Sequence, residues 1–532
     1  MTPSVQPSSA APLVSMRTRW PRLVAIPAAI GLVLAAVLQM HAAGQPLLAT
    51  LLLLLGGLAV WVYTQPRAHA LRYVFPGVAA ALIFVVFPML VTVLLGFTNY
   101  SSRNLFTEDE VRQALLAETE PVAGSQHAFE LLGTDAAARL RLTAPDGRRW
   151  VTPAVPLAAR GAEPLGLQAE GPETIGAAAR PLRDVVSHLE TLRSWPLQAP
   201  DGTRLALSGL REYAQLRPLY RAATGSATGA PPSGALIDAA TGSLWVPDAT
   251  TGFFTRDDGA TLQPGFRVSV GLQHYRTVLT EPRFREPFLS VLAWTIAFSA
   301  LTVAGATALG LLLAVLFNWE ALQLKGVYRL ILFLPYAVPG FISILVFKGL
   351  FNQNLGEINL ILNALFGIQP AWFSDPLLAR TMLLIVNIWL GFPYMMVLCS
   401  GLIKSIPADL TEASAILGAG PWVHFRRVTL PLILTPLTPL LIGAFAFNFN
   451  NFVLISLLTG GRPDHLDSTV PAGTTDILVS YTWRIAFQDS GQQFGLAAAV
   501  STIIFLMVAA LTLLQLRLTR QADASSGRGA PH

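Results

Sequence analysis

Three asparagines stand within residues 445–452, in an otherwise apolar run that reads FAFNFNNF. Amide groups at bilayer depth are costly unless they pair with one another or line a wet cavity. Ala444, Phe447, Asn448 and Asn451 follow i, i+3, i+4, i+7 spacing, so a helix would place them on one face. That face would offer amide donors and acceptors beside an aromatic ring, which suits the hydroxyls and the C–H face of a sugar. The alternative is hydrogen bonding between helices, which is common for asparagines in membranes.

Two tyrosines favour a binding site over a purely structural role for these amides. Tyr336 follows a proline in the sequence LPY, and Tyr394 follows one in GFPY, which begins with Gly391. Proline bends a helix and leaves backbone groups without their helical hydrogen bonds at membrane depth. Interrupted helices of this kind often form the binding sites of transporters.

Catalytic chemistry is not indicated. The sequence contains no GxxxxGK[ST] phosphate-binding loop and no credible pairing of a nucleophile with a base. The single cysteine, Cys399, excludes disulfides and cysteine metal sites within the chain. A receptor would need a cytoplasmic signalling domain, and both predicted tails are too short for one. We therefore expect a chain that is not an enzyme and has no cofactor of its own.

A polar, helix-prone island, residues 406–439, lies between two long apolar runs. Pro407 can begin a helix, and Asp409 and Glu412 then fall near its N-terminus, where negative charge is favoured. Gly418 stops this helix and turns the chain. A second helix can carry Arg426 and Arg427 and continue through Leu430 and Pro431 into the membrane. A simple linking loop is the plainer interpretation, whereas a DNA-reading helix-turn-helix is excluded because apolar spans on both sides hold the island at a bilayer.

The composition indicates an integral membrane protein. The 532 residues are 53% hydrophobic and only 13% charged, whereas soluble domains carry about 25% charged residues. The apolar runs long enough to cross a bilayer core predict eight transmembrane helices. We attribute the formal net charge of +5 to membrane-flanking residues and not to nucleic-acid binding.

These spans divide the chain into segments. The predicted segments are a tail at 1–22, three spans at 23–98, a β-rich extramembrane domain at 99–286, a five-helix core at 287–516 that contains the loop 403–431, and a tail at 517–532. Basic residues of the short loops fall mostly on one side of this arrangement. The positive-inside rule therefore predicts that both termini and the loop 403–431 are cytoplasmic and that the domain at 99–286 lies outside.

The island resembles the EAA loop of ABC-importer permeases, in which a short helix docks into a cleft on a cytoplasmic ATPase. The resemblance is carried by EASAILGAGP at residues 412–421 and by VTLP at residues 428–431, with Ser414 in place of the family's second alanine. It implies that coupling to the ATPase involves Glu412, Ala413, Gly418, Arg426, Leu430 and Pro431.

Most of the chain is similar to the permease family of bacterial maltose/maltodextrin ABC importers. The stretches GEINLILNALFGIQPAWFSDP, FAFNFNNFVLI and PAGTTDILVSYTWRIAF carry this resemblance, together with the three spans before a large outer domain. It implies an all-α integral membrane protein of the type I ABC-importer permease fold, with about eight transmembrane helices and an inserted β-rich periplasmic domain. The implied location is the bacterial inner membrane, which the chain crosses several times.

The resemblance also implies partners and a sugar site. The partners are a second permease subunit, two ATP-binding subunits that hold ATP and Mg, and a periplasmic maltose-binding protein. Sugar would move inward by alternating access through a site formed by Tyr336, Gly391, Tyr394, Phe447, Asn448 and Asn451. Ala444 stands where the family has a hydroxyl-bearing contact, which removes one hydrogen bond to the sugar. The alternative is an ABC permease for a different oligosaccharide or a related polyol.

Overall fold

The computed structural model describes residues 20–65, 67, 69–158, 163–172, 174–223, 232–319, 322–466, 470–488 and 491–526. The chain divides into a helical unit and a β-rich unit. The helical unit comprises Met1–Phe97, Leu272–Asp489 and Gly495–His532, and the β-rich unit comprises Thr98–Gly271 and Ser490–Phe494. Most of the predicted N-terminal tail, and the last six residues of the predicted C-terminal tail, lie outside the described residues.

Runs of leucine, valine and alanine form the N-terminal helices. The elements are α1 (Trp20–Ala42), α2 (Pro46–Thr64), α3 (Leu71–Ala81), a π-helix (Leu82–Val86) and α4 (Phe87–Leu95). Gly44 has a φ of 73°, a left-handed conformation that glycine adopts at no steric cost, in the turn between α1 and α2. Arg72 donates from Nε to the Val62 carbonyl at 3.2 Å and so fastens the start of α3 to the end of α2.

The β-rich unit contains short strands and three short helices. In chain order these are α5 (Glu108–Ala117), β1 (Thr119–Pro121), β2 (His127–Thr134), β3 (Ala137–Thr143), β4 (Arg149–Val151), β5 (Leu165–Gly166), β6 (Gln168–Ala169), α6 (Leu182–Ser187), α7 (Leu189–Arg193), β7 (Leu197–Gln198), β8 (Arg204–Gly209), β9 (Glu212–Ala214), β10 (Leu216–Pro218), β11 (Tyr220–Ala222), β12 (Leu236–Asp238), β13 (Leu244–Asp248) and β14 (Phe253–Thr255). Their sheets have the orders β5-β7-β8-β9-β2-β3-β4-β6, β11-β12-β13-β14 and β1-β10.

Apolar side chains at every second position of the strands explain how the sheet forms a core. On β3, Ala138, Leu140 and Leu142 point to one face of the sheet and are fully buried in the core, with Trp195 packed in the same cluster. Arg141, which lies between two of them, is also buried, and its Nη1 donates to Glu130 at 2.9 Å. The prediction of an inserted β-rich domain is therefore confirmed.

The remaining elements belong mainly to the helical unit. They are α8 (Gln273–Thr280), α9 (Pro282–Asn318), α10 (Lys325–Leu332), α11 (Leu334–Ala337), α12 (Gly340–Leu350), α13 (Glu357–Phe366), α14 (Pro376–Lys404), α15 (Ala408–Ile416), α16 (Pro421–His424), a second π-helix (Phe425–Thr429), α17 (Leu430–Phe449), α18 (Phe452–Leu458), α19 (Leu478–Phe487) and α20 (Phe494–Ser526).

Several of these helices can cross a bilayer. Among the described residues, five helical stretches are long and apolar enough to do so, namely Pro46–Thr64, Leu71–Leu95, Pro282–Asn318, Pro376–Lys404 and Pro421–Phe449. Shorter apolar helices occur at Pro27–Ala42, Gly340–Leu350, Glu357–Phe366 and Phe494–Ala510. The prediction of an all-α membrane protein with an inserted domain agrees with this arrangement.

Helices α9 and α14 form the centre of the helical unit. A Cβ atom on Gly310 of α9 would lie 2.7 Å from the Met395 Cβ of α14, so only glycine permits this approach. Phe298 of α9 and Met382 of α14 are fully buried in a cluster that also receives Ile344 of α12. These contacts fix the walls against which the functional side chains are held.

Three predicted boundaries differ from the structure. The β-rich unit ends at Gly271 and not at Glu286, because residues 273–286, although polar, form α8 and the start of α9. The predicted fifth span, at about residues 330–351, is divided into α10, α11 and α12, with Pro335 and Pro339 at the divisions. The predicted seventh span, at about residues 432–458, is interrupted after Phe449.

Candidate functional site

A cavity of about 780 Å³ opens within the helical unit, with walls from α9, α11, α12, α14, α17 and α18. All six residues predicted for sugar binding line it: Tyr336, Gly391, Tyr394, Phe447, Asn448 and Asn451. Of the residues that line this cavity in the described part of the chain, none is charged. The cavity therefore combines aromatic side chains with neutral amides.

Asn448 is held between two helices by both ends of its amide. Its Oδ1 accepts a hydrogen bond from Asn387 Nδ2 of α14 at 2.7 Å, and its Nδ2 donates to the Ala444 carbonyl at 2.8 Å. The side chain is only 8% exposed. This amide thus joins two helices and also lines the cavity, so its geometry fits both a structural role and a role in binding.

The amide still has hydrogen-bonding capacity after these two bonds. An asparagine side chain carries two N–H donors and two acceptor lone pairs. One of each is used within the described residues. One N–H and one lone pair are therefore free for a ligand hydroxyl that reaches the cavity wall.

Asn451 reaches the cavity in a way that the helical spacing did not predict. α17 ends at Phe449, Asn450 has φ −111° and ψ 20°, and Asn451 caps α18 by accepting from the Leu454 amide at 3.4 Å. Asn451 Nδ2 also donates to Asn387 Oδ1 at 3.3 Å. The expected single continuous helical face is thus wrong beyond Phe449, because two successive asparagines favour caps and turns over a helix interior.

The aromatic side chains are much more exposed than the amides. Phe447 is 71% exposed, and Tyr336 and Tyr394 are also exposed, although all three line the cavity. Their ring faces are therefore free to stack against a ligand. Gly391 lies on the same wall, where a Cβ would meet only the Ala306 side chain at 3.4 Å.

Asn387 is a central residue of the site that the sequence interpretation missed. Its Nδ2 donates to both Asn448 Oδ1 at 2.7 Å and Thr302 Oγ1 at 3.2 Å, which ties α14 to α17 and α9. The sequence could have identified it, because Asn387, Gly391 and Tyr394 follow i, i+4, i+7 spacing within one apolar run and would share a helix face.

The first part of the island, residues 408–424, folds as two helices joined at a glycine. α15 and α16 flank Gly418, which has a φ of 71°. Ser414 Oγ lies 2.7 Å from His424 Nδ1, so the two helices are also joined through side chains. Of the residues predicted for coupling, Glu412, Ala413, Gly418, Arg426 and Pro431 are exposed and Leu430 is half-buried.

Metal ligation has no basis in the described part of the chain, where histidine, cysteine, aspartate and glutamate form no group of three or more suited to an ion.

Comparison with known proteins gives matches over both units. Residues 106–271 match the family described as the maltose transport system permease protein MalF P2 domain, and residues 306–521 match the binding-protein-dependent transport system inner membrane component family. The maltose/maltodextrin transport system permease protein MalF of Vibrio parahaemolyticus is 46% identical over 92% of this chain and 92% of its own length. MalF of Yersinia pestis is 46% identical over 91% of each chain.

Among solved structures, a chain of a bacterial ABC transporter involved in the import of the acidic polysaccharide alginate is 21% identical, with a TM-score of 0.41. The match covers 47% of the present chain and 84% of that chain.

Proposed function

The chain belongs to the MalF family of maltose/maltodextrin transport permeases, and we propose that it is the membrane-spanning subunit that moves maltose or maltodextrin inward in an ATP-driven importer. It is a multi-pass protein of the inner membrane and a transport subunit of a multi-component ABC importer. In the proposed orientation both termini and the coupling island face the cytoplasm, and the β-rich unit faces the periplasm.

The observation that carries the sugar assignment is the chemistry of the 780 Å³ cavity. Exposed aromatic rings offer flat apolar faces for the C–H face of a pyranose, and amides with spare donors and acceptors match its hydroxyls. Among the described lining residues no cation is available, whereas a phosphorylated substrate would favour arginine or lysine. We assign sugar contacts to Tyr336, Gly391, Tyr394, Phe447, Asn448 and Asn451.

ATP and Mg are assigned to two partner ATPase subunits. The coupling island presents Glu412 and Gly418 on an exposed helix and turn, and Ile416 beside them is 86% exposed. An exposed apolar side chain on a short helix is suited to a cleft in another protein. Closure of the ATPases would move this helix, and the cavity would then alternate between the two sides of the membrane.

The remaining proposed partners are a second permease subunit and a periplasmic maltose-binding protein. The aromatic side chains that line the cavity are exposed in this chain, which leaves room for a second permease subunit to complete the site. The binding protein would deliver sugar from the periplasm.

The test compares two phenylalanines of similar exposure. Phe447→Ala removes a cavity ring that is 71% exposed, and Phe84→Ala removes a ring that is 76% exposed on the π-helix after α3. Neither change leaves a core cavity, so both proteins should reach normal levels. Uptake of labelled maltose by cells that lack the native permease should fall several-fold for Phe447→Ala only. Equal uptake by both variants would refute the sugar site.

A further inference from the structure

A second, smaller cavity of about 300 Å³ lies at one end of the helical unit and is lined by two cations, Arg329 and Lys404. Lys404 is the last residue of α14, and Phe317, which also lines the cavity, is next to the last residue of α9. Both long helices therefore end at this cavity. In the proposed orientation this is the cytoplasmic end of the membrane-spanning segments.

The two cations are not neutralised by the described part of the protein. No acidic side chain lines the cavity there, and neither Arg329 nor Lys404 forms an ion pair with a described carboxylate. Ser400 contributes a hydroxyl that accepts from Asn318 Nδ2 at 3.1 Å, so its own proton can be donated to a ligand. Two cations and one hydroxyl donor form a site for an anion with several oxygen acceptors.

The rest of the lining is apolar, and exposed apolar side chains lie next to it in the sequence. Phe317, Phe333 and Val397 line the cavity with the cations. Leu330, the residue after Arg329, is 71% exposed, and Leu334 is also exposed. A ligand that fits this surface carries its anion at the helix ends and an apolar chain along the helices.

We propose that this cavity binds the headgroup of an anionic phospholipid, with the phosphate between Arg329 and Lys404 and an acyl chain along α10 and α11. Basic pockets between transmembrane helices at the cytoplasmic surface suit such headgroups. The inference depends on the membrane orientation of the chain and not on the identity of the transported sugar. A lipid held here would fasten the end of α14, which carries Gly391 and Tyr394 of the larger cavity.

The experiment measures lipid retention by the purified complete transporter. Phosphatidylglycerol is titrated onto delipidated complex, and bound lipid is counted by native mass spectrometry. The test variant is Arg329→Gln/Lys404→Gln. The control, Arg67→Gln/Arg517→Gln, removes two exposed cations that do not line the cavity.

We expect wild type and control to hold phosphatidylglycerol tightly, and the test variant to bind it about thirtyfold more weakly, which corresponds to about 1 kcal/mol for each cation. Equal loss in the test and control variants, or no loss in either, would overturn the proposal. Displacement of the lipid by millimolar inorganic phosphate would show a free-anion site and would also overturn it. If the double variant fails to assemble, Lys404→Gln alone is compared with Lys404→Arg, which should retain the lipid.

Discussion

Replacing Asn448 with alanine separates a sugar contact from a bond that only joins helices. The substitution removes two hydrogen bonds within the protein, to Asn387 at 2.7 Å and to the Ala444 carbonyl at 2.8 Å. Only the bond to Asn387 joins two helices, and such bonds are worth about 0.6 kcal/mol on average, so the loss of stability between helices is of that order. A missing contact to a sugar hydroxyl in a partly desolvated cavity costs about 1–3 kcal/mol, or about five- to 150-fold in affinity.

Asn387→Ala provides the matched control. Both N–H groups of Asn387 are donated within the protein, to Asn448 and Thr302, so its amide nitrogen has none left for a sugar. Asn387→Ala removes the bonds that Asn387 makes with Thr302, Asn448 and Asn451, but it leaves both amides assigned to the sugar in place. Asn448→Ala loses fewer bonds to other helices, yet it should show the larger fall in uptake per assembled complex, because it removes a sugar contact.

The assay follows labelled maltose uptake, protein level and ATPase activity in the presence of the sugar-loaded binding protein. We expect Asn448→Ala to retain stimulated ATPase activity while uptake falls at least about fivefold below that of Asn387→Ala. Indistinguishable uptake by the two variants at equal protein level would refute the assignment of Asn448 as a sugar contact. The amide would then serve only to join α14 and α17.

Three further predictions concern coupling and topology. Gly418→Val should uncouple ATP hydrolysis from transport, because a β-branched residue at a φ of 71° is strained by about 1–3 kcal/mol. Gly420→Val, at a φ of −69° with open space around it, should remain coupled in the same reconstituted vesicles. Ser414→Ala removes a bond worth about 0.5–1.5 kcal/mol between α15 and α16, and should lower the sugar transported per ATP hydrolysed. Thr241→Cys, in a chain without Cys399, should react with an impermeant thiol reagent in intact cells, as a periplasmic β-rich unit requires.

Each of these three predictions would be contradicted by a specific result. Normal coupling in the valine variant at position 418 would show that the turn does not need a left-handed residue. An unchanged ratio of sugar to ATP after loss of the serine hydroxyl would show that the glycine turn alone fixes the two helices. Labelling at position 241 only after cells are permeabilised would invert the topology.

The order of elements was readable from the sequence because it depends on local composition. Apolar runs marked the membrane helices. The sequence PDG, typical of turns, occurs at residues 145–147 and 200–202, and Gly147 and Gly202 have φ values of 84° and 87° in hairpins of the β-rich unit. The end of that unit was misjudged because residues 273–286 are polar and charged. Hydropathy alone cannot distinguish a polar helix before a span from part of an outer domain.

The central residues of the site could be predicted only in part from the sequence, for a different reason. The sequence indicated which polar residues stand at membrane depth, but their partners are set by tertiary packing. Asn387 is a single amide in a 29-residue helix, and it becomes central only because α9 and α17 approach it. The break at Asn450 likewise depends on Asn451 finding the Leu454 amide to cap.

A helix links the two functional regions of the helical unit. Pro421–Phe449 is helical for 29 residues, so it spans about 43 Å and exceeds the thickness of a bilayer core, which is about 30 Å. Its first residues belong to the coupling island, and Phe447 and Asn448 face the cavity near its other end. A displacement of the island along this helix would therefore move both side chains against α14.

The bond between Asn448 and Asn387 must then exchange during each transport cycle in the proposed mechanism. A membrane amide pair worth about 0.6 kcal/mol is comparable to thermal energy, so it can open without a large barrier. A buried charge that is left without its partner costs about 3–5 kcal/mol, so an ion pair would be harder to open at this position. Neutral amides between α14 and α17 therefore hold the two helices in register while still permitting the movement that alternating access requires.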